Sequence, residues 1–401
     1  MIKKTISIIT ISFLMGFSLS ACAENADIKL DAQQTNIQQL TKLANEGQAK
    51  AQFQLFLYYK QRKDSRSMNY LYSAVEQGDS DALNALGWLY YKGDGVEQDY
   101  KKAVDYLNQA KDKNCLLAYV NLATIYTRGD ALPKDLKKAE ELLKYAADKG
   151  LPEASYNLAL IYAQGINGQP NVEKSLHYLK KSAEAGLAQG QFQYGWVLLS
   201  GEEVKPNRKA GLDWISKAAE QGHVNAQENL GSIYLEDGIN YKANPTLAYK
   251  WTKKAADQNS KIALGNLGWL YYKGIGVKKD GKLAEQYLNR AIALGNSQAA
   301  LNLGLMYSKG DEIKQDYKRA FEAFNQSVTL GDESAKLMLG SLYYQGKGVK
   351  QNENKALKLM LEAQRAGFGV SPDIINEYKI CTLRTSVVKG KEYHAVECPF
   401  I

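Results

Sequence analysis

One face of a recurring helix is marked by Leu and Tyr, four residues apart, along most of the chain. The two large side chains share one helical face. A small residue directly follows each Leu, and at that residue the backbone of a neighbouring helix can approach closely. The pairs are Leu86-Gly87, Leu122-Ala123, Leu158-Ala159, Leu230-Gly231, Leu267-Gly268, Leu303-Gly304 and Leu339-Gly340, with Tyr194-Gly195 in the remaining repeat. The pattern predicts one helix per repeat, ended by a Gly a few residues later.

A second helix in each repeat is predicted from its capping residues. Asp or Asn, both strong N-caps, recurs every 36 residues with one step of 37, four residues ahead of Ala, Ser or Gly. These caps are Asp99, Asp135, Asn171, Asn207, Asn244, Asp280, Asp316 and Asn352. Gly or Asn follows 15 residues after each cap, as is typical of a left-handed helix end. Such a period predicts a solenoid of helix pairs.

The segment from Ala82 to Ala103 carries the pattern A-x-x-x-L-G-x-x-Y-x-x-G-x-G-V-x-x-D-x-x-K-A, which recurs from Ala263 to Ala284. It resembles the Sel-1-like repeat family, helical-hairpin relatives of tetratricopeptide repeats. The resemblance covers roughly residues 48–367, including a shorter first unit that begins at Gln48. It implies an all-α fold, a right-handed superhelical solenoid of about nine antiparallel helix pairs with a concave groove.

Residues 1–21 are predicted to be a signal peptide, because two lysines precede an apolar stretch too short to span a membrane. Leu19-Ser20-Ala21-Cys22 resembles the lipobox of bacterial lipoproteins. The resemblance implies lipidation at Cys22 and, because the next residue is Ala rather than Asp, a place on the periplasmic side of the outer membrane. The alternative is cleavage after Ala23, which would release a soluble periplasmic protein.

Residues 22–36 are predicted to form a flexible tether and 37–47 a capping helix, ahead of the solenoid at 48–367. The helical period stops after Gly367, and 368–401 are predicted to form a small β-hairpin that caps the last repeat, with a docking element for a partner as the alternative. A two-residue turn at Lys389-Gly390 places Val388 opposite Lys391.

The same register places Cys381 opposite Cys398 at a closely spaced, non-hydrogen-bonded site. We expect a disulfide between them in an oxidising compartment, with two free thiols as the alternative. Cys115 has no partner in this scheme, so it is interpreted as a half-buried, inert thiol.

Charge and motif content argue against nucleic acid, metal and catalysis. The formal net charge of +8 is small for 401 residues, and the charged residues are interspersed along the chain rather than clustered. His177, His223 and His394 lack metal-ligand spacing, and no nucleophile elbow, phosphate loop or paired-carboxylate motif is visible. We therefore expect a non-enzyme that has no cofactor, binds no nucleic acid and acts as a monomer.

The first helix of each pair lines the groove in tetratricopeptide-like stacking, so residues after the Leu–small pair and after Tyr should point inward. Aromatic residues and Arg dominate binding hot spots. The candidate partner-binding residues are Trp88, Tyr91, Lys92, Arg128, Trp196, Trp269, Tyr272, Lys273 and Tyr344. The competing interpretation is that the Trp residues pack between adjacent hairpins.

A groove without catalytic residues predicts a non-enzymatic protein–protein interaction scaffold of the bacterial envelope. It would bind an envelope or secreted protein in the groove and regulate an assembly or signalling process. The alternative, by resemblance, is an immunity protein that neutralises a secreted antibacterial effector such as a phospholipase. A cell-wall or β-lactam hydrolase is the third hypothesis, and it lacks a visible catalytic constellation.

Overall fold

The computed structural model describes residues 34–166, 168–201, 205–235, 243–368, 381–388 and 391–397. The chain divides into two compact units, which meet between Trp214 and Ile215. The first contains α1 (Gln34–Asn45), α2 (Ala49–Gln61), α3 (Arg66–Glu76), α4 (Ser80–Lys92), α5 (Tyr100–Asp112), α6 (Leu116–Arg128), α7 (Leu136–Asp148), α8 (Pro152–Gln164), α9 (Val172–Glu184) and α10 (Ala188–Ser200). Helix α11 (Arg208–Glu220) contains the boundary between the units.

The second unit continues with α12 (Val224–Ile233), α13 (Pro245–Asp257), α14 (Lys261–Lys273), α15 (Gly281–Ala293), α16 (Ser297–Lys309), α17 (Tyr317–Thr329), α18 (Ala335–Gln345) and α19 (Glu353–Arg365), then β1 (Thr382–Val388) and β2 (Lys391–Glu397). Consecutive helices pack on each other within each unit. The predicted all-α solenoid of antiparallel helix pairs is confirmed.

Every predicted cap lies at the start of a second helix. Each of the eight side chains accepts a hydrogen bond from a backbone amide of the first turn, as Asp99 does from Lys102 and Asn352 does from Lys355. The helices end where the left-handed residues were expected, with φ of 60° at Asn114 and 93° at Gly150. Local capping chemistry therefore sets both ends of each second helix.

The backbone of each capping residue also closes the loop between the two helices. The amide of Asp99 donates to the carbonyl oxygen of Tyr90, at 3.1 Å, and Asp280 does the same to Tyr271 at 3.0 Å. The bond is repeated in all eight repeats, including the one in which Leu198 replaces Tyr. The loop is thus held by backbone atoms, which explains why this departure from the sequence pattern leaves the repeat intact.

The second helix approaches closely at the glycines of the Leu–small pairs. A Cβ placed on Gly87 would lie 3.0 Å from the carbonyl oxygen of Ala103, and one on Gly268 would lie 3.1 Å from that of Ala284. Ala103 and Ala284 belong to the predicted small positions and are fully buried. The two small positions of a repeat therefore face each other across the helix pair.

The N-terminal helix begins earlier than the sequence pattern suggested. Helix α1 covers Gln34–Asn45, whereas 37–47 were predicted, and no Gly or Pro precedes Ile37 to delay its start. Leu40 and Ala44 pack with Leu55 of α2, so α1 covers the first repeat. The predicted signal peptide at 1–21, Cys22 and most of the predicted tether lie outside the described residues.

The C-terminal hairpin has the register that the sequence predicted. Val388 lies opposite Lys391 and Thr382 opposite Glu397. The amide of Cys381 donates to Ser341 Oγ of α18 at 2.9 Å, and Cys381 and Val396 pack against the core of the second unit. The hairpin therefore contacts the last helix pair. Lys389, Gly390 and Cys398 lie outside the described residues.

The interpretation of Cys115 as an inert thiol is wrong. Cys115 is 1% exposed and disulfide-bonded, and Cys381 is disulfide-bonded as well. Sequence reasoning paired cysteines by strand register alone. That rule cannot find a partner for a cysteine at a helix start.

The Gly304–Phe324 contact gives a direct test of the close helix approach. A Cβ on Gly304 would lie 2.4 Å from the ring of the buried Phe324, so we expect Gly304→Ala to lower the free energy of unfolding by about 1–3 kcal/mol. The repeat of α6 and α7 has Ala123 and Leu143 at the equivalent positions. Adding Phe324→Leu should therefore recover part of the loss, with a coupling of about 0.5–3 kcal/mol in denaturant titrations. Additive losses would contradict this packing.

His223 provides a pH-dependent cap for α12. Its Nδ1 accepts from the amide of Ala226 at 3.2 Å, and burial lowers the pKa of His223 below its ordinary value. The unfolded chain therefore takes up the proton first as pH falls, and the stabilisation present above about pH 6.5 is lost toward the lower folded pKa. We expect the unfolding free energy to fall more between pH 7.5 and 5.5 in the native chain than in His223→Asn, which retains a capping oxygen. Equal slopes would show that His223 is not responsible.

Candidate functional site

Four of the predicted partner-binding residues meet in the first unit. Trp88, Tyr91 and Lys92 lie at the end of α4, with the Trp88 and Tyr91 ring centroids 4.9 Å apart. Lys92 Nζ lies 5.1 Å from the Trp88 ring and 5.5 Å from the Tyr91 ring, within the range of cation–π attraction. Arg128, at the end of α6, donates to the Tyr91 hydroxyl at 3.1 Å. With Asp130, these residues form what we call the α4 cluster.

Asp130 is the member that sequence reasoning missed. Its carboxylate accepts a hydrogen bond from the Tyr91 hydroxyl at 2.7 Å, so Tyr91 joins a carboxylate and a guanidinium from the following repeat. Burial, reinforced by the bond to Asp130 and opposed by Arg128, raises the pKa of Tyr91 to about 12. The phenol therefore stays protonated and keeps donating to Asp130 throughout the physiological range.

The second unit contains an equivalent group, the α14 cluster, made of Trp269, Tyr272, Lys273, Lys309 and Asp311. The Trp269 and Tyr272 rings are 5.3 Å apart, and Lys273 Nζ lies 4.9 Å and 5.2 Å from them. Lys309 Nζ and Asp311 Oδ2 are 3.0 Å apart. Burial opposes ionisation of Asp311, but the neighbouring Lys309 ammonium outweighs it and lowers the pKa of the carboxyl.

The two clusters share one sequence signature. Residues 86–93 and 267–274 both read LGWLYYKG, and a basic residue, Gly and Asp follow in the next repeat. The basic residue is 37 positions after the buried Tyr and the Asp is 39 positions after it, in both clusters. A comparison of pairs of consecutive repeats, rather than of single repeats, would have revealed Asp130, Lys309 and Asp311.

Burial divides the predicted residues into anchors and surface groups. Tyr91 and Tyr272 are 2% and 1% exposed, and Trp88 packs with Ala118 and Leu122 of the next repeat. Trp269 and Tyr344 are half-buried against the core of the second unit, and Arg128 and Lys273 are also half-buried. Lys92 is exposed, and Trp196 is 42% exposed. The surface of each cluster is thus mainly charged, over a buried aromatic base.

We searched the described part of the chain for a metal site and for a membrane-spanning helix. Within it, no group of three His, Cys, Asp or Glu side chains is placed to hold a metal ion. No helix found there has both the length and the apolar character needed to cross a membrane. Buried aromatic rings with surface charges of both signs are suited to protein contacts.

The Sel1 repeat family matches eight consecutive segments of the chain. They are residues 80–115, 116–151, 152–187, 188–223, 224–260, 262–296, 297–332 and 334–373. The chain belongs to the Sel1 repeat family. The Sel1 repeat fold is typically a non-catalytic protein-interaction scaffold, and the expected family resemblance is confirmed.

One solved structure shows the same fold, and two others are reported as further matches. A Sel1 repeat protein from Oxalobacter formigenes is 26% identical, with a TM-score of 0.54 over 79% of this chain and 92% of that one. A protective antigen of uropathogenic Escherichia coli with an SLR fold is 22% identical, with a TM-score of 0.47 over 86% and 92%. An immunity protein from Pseudomonas aeruginosa is 22% identical, with a TM-score of 0.32 over 54% and 81%. No curated protein matches the chain.

A double-mutant cycle tests the link between repeats in the α4 cluster. We expect Tyr91→Phe and Asp130→Ala each to lower the unfolding free energy, because each removes the hydrogen bond between the two side chains. The double variant should lose less than the sum, with a coupling of about 1 kcal/mol in denaturant titrations. A coupling near zero would mean that the bond contributes nothing to stability.

Proposed function

We propose that this Sel1 repeat protein is a non-enzymatic interaction scaffold of the bacterial envelope. In this proposal it binds a partner protein through the first helices of its repeats and thereby regulates an envelope assembly or signalling process. The observation that carries the proposal is the α4 cluster and its second copy, the α14 cluster.

The repeated cluster supports binding because packing alone does not need it. Other repeats fill the position of Trp88 with Thr124, Leu160 or Leu305 and still form the same helix pair. Only two of the repeats combine Trp, two Tyr and Lys at this point. A costly combination of large side chains that the fold does not require is typical of a contact site.

The geometry of the α4 cluster is suited to a rigid contact. Lys92 rests on two buried rings, and Arg128 and Asp130 are both fixed by the Tyr91 hydroxyl. Groups held in place before binding lose little conformational entropy when a partner docks. Adjacent charges of both signs favour a partner surface with matching acidic and basic groups.

An exported location is supported by two features. The predicted signal peptide at 1–21 would deliver the chain to the periplasm. Cys115 and Cys381 are disulfide-bonded, a state that persists in oxidising compartments. Both the lipid-anchored and the soluble alternatives place the repeats on the periplasmic side.

The test is capture of partners from crosslinked cells by the native chain and by a Lys92→Glu, Lys273→Glu variant. We expect the variant to lose the captured partner, with an affinity reduced at least about tenfold. The matched control is Lys101→Glu, Lys282→Glu, which reverses two exposed lysines on second helices and should retain the partner. Circular dichroism would establish that both variants are folded.

Loss of the partner in the control as well, or in neither variant, would contradict a contact at the two clusters. If the captured partner is a secreted hydrolase whose activity the native chain blocks, the immunity alternative replaces the regulatory one. Turnover of cell-wall or β-lactam substrates by the purified chain would overturn the scaffold proposal altogether.

A further inference from the structure

Three loops of the second unit lie side by side where each first helix ends and its second helix begins. With the first turn of the following helix, they cover residues 275–283, 311–319 and 347–355. Lys279 Nζ in the first segment lies 3.2 Å from Glu312 Oε1 in the second. Lys347 Nζ in the third lies 5.0 Å from the ring centroid of Tyr317 in the second. The three segments are therefore in contact, and we call the surface they form the basic edge.

The basic edge has an excess of positive charge that the order of residues along the chain does not reveal. Its three segments contain nine basic and five acidic residues. The equivalent segments of the first unit contain nine basic and eight acidic residues, and they are 94–102, 130–138, 166–174 and 202–210. The fold of the second unit brings to one edge lysines that are 36 residues apart in the chain, namely Lys278, Lys314 and Lys350.

Most carboxylates of the basic edge are already engaged. The two that cap α15 and α17 accept hydrogen bonds from backbone amides. Glu312 pairs with Lys279 at 3.2 Å, and Asp311 pairs with Lys309 at 3.0 Å. Six exposed lysines of the edge form no ion pair with any residue that the structure describes, and they are Lys278, Lys282, Lys314, Lys318, Lys350 and Lys355. Their positive charge is left for anions from outside the chain.

The composition of the basic edge fits a lipid surface better than a protein. All its basic residues except Arg319 are Lys. Lys is depleted in protein interfaces, where aromatic residues and Arg are enriched, and its strongly hydrated ammonium on a flexible stem suits diffuse attraction. In the second unit, the large exposed apolar side chains lie at the opposite end of the described helix pairs, as Ile262 and Leu294 do. The edge is therefore suited to resting on a charged surface, without inserting into it.

We propose that the basic edge binds a membrane surface through the phosphate groups of anionic phospholipids. The attraction is electrostatic, and each Lys near such a surface raises the partition coefficient about fivefold. The second unit then lies with this end of its helix pairs toward the lipid headgroups. The contact does not rest on the proposed protein partner or on a lipid anchor, because the charges of the edge are present without either.

Co-sedimentation of the full chain with vesicles tests the contact. Vesicles of phosphatidylcholine alone are compared with vesicles of equal parts phosphatidylcholine and phosphatidylglycerol. We expect the native chain to bind the anionic vesicles at least about 100-fold more tightly, the effect of three lysines in contact. The preference should disappear when the salt is raised from about 0.1 M to about 1 M, because the Debye length falls to about 3 Å. A lipid anchor acts equally on both kinds of vesicle, so it cancels from the ratio of the two affinities.

Charge reversal at the edge should abolish the preference for anionic vesicles. The edge variant changes one exposed lysine in each segment, as Lys278→Glu, Lys314→Glu and Lys350→Glu. We expect the ratio of its affinities for anionic and neutral vesicles to fall to about one, because three attractions become repulsions. Circular dichroism would establish that the variant is folded.

The matched control reverses three exposed basic residues at the opposite end of the same helix pairs. It carries Lys254→Glu, Lys261→Glu and Arg365→Glu, with the same change in net charge. A helix of 13 residues such as α14 separates the two ends by about 20 Å, which is about two Debye lengths at 0.1 M salt. The control should therefore keep the preference of the native chain.

The proposal is overturned if the native chain shows no preference for anionic vesicles, if the preference survives about 1 M salt, or if both variants lose it equally. It also falls if the edge variant keeps the preference but loses binding to single-stranded DNA or to an acidic protein. The partner captured through the α4 and α14 clusters should stay bound to the edge variant, so a failure of the membrane contact and a failure of the scaffold proposal appear in different experiments.

Discussion

The close approach of the two helices in each repeat is the constraint on which the rest of the fold depends. A Cβ added to Gly87 would lie 2.9 Å from Leu107 Cγ and 3.0 Å from the carbonyl oxygen of Ala103, and one added to Gly268 would lie 2.7 Å from Leu288 Cγ and 3.1 Å from that of Ala284. A methyl group at either glycine would therefore force its neighbours to shift. Because the two helix backbones lie so close together, the side chains around the contact have fixed positions. One rigid helix pair can then be repeated along both units with little change.

That constraint separates the positions that build the fold from those available for function. The caps and small residues recur in every repeat, and the backbone bond from the capping residue to the Tyr position survives even where Leu198 is present. Residues just after the Leu–small pair are free to differ. In two repeats, Trp88 and Trp269 at this position each pack at a tilt against a Tyr ring, with a Lys ammonium near both rings. The scaffold therefore fixes geometry without fixing specificity.

The candidate site was only partly predictable. Trp88, Tyr91 and Lys92 stand close together in the sequence, so their pairing on one helix followed from its period. Asp130 lies 39 residues after Tyr91 and has no marked sequence pattern of its own in a single repeat. Burial was not predictable from the sequence either. Trp88 and Trp196 occupy the same position in their repeats, yet they are 7% and 42% exposed.

The sequence by itself determined the repeat, the helix ends and the hairpin register, because capping, left-handed termination and strand pairing depend on residues close together in the chain. Only the tertiary structure decided that Asp130 and Arg128 hold Tyr91, that His223 caps a helix from a buried position, and that Cys115 is a half-cystine. Each of these depends on what surrounds a side chain in space, and in a solenoid that environment comes from the neighbouring repeats.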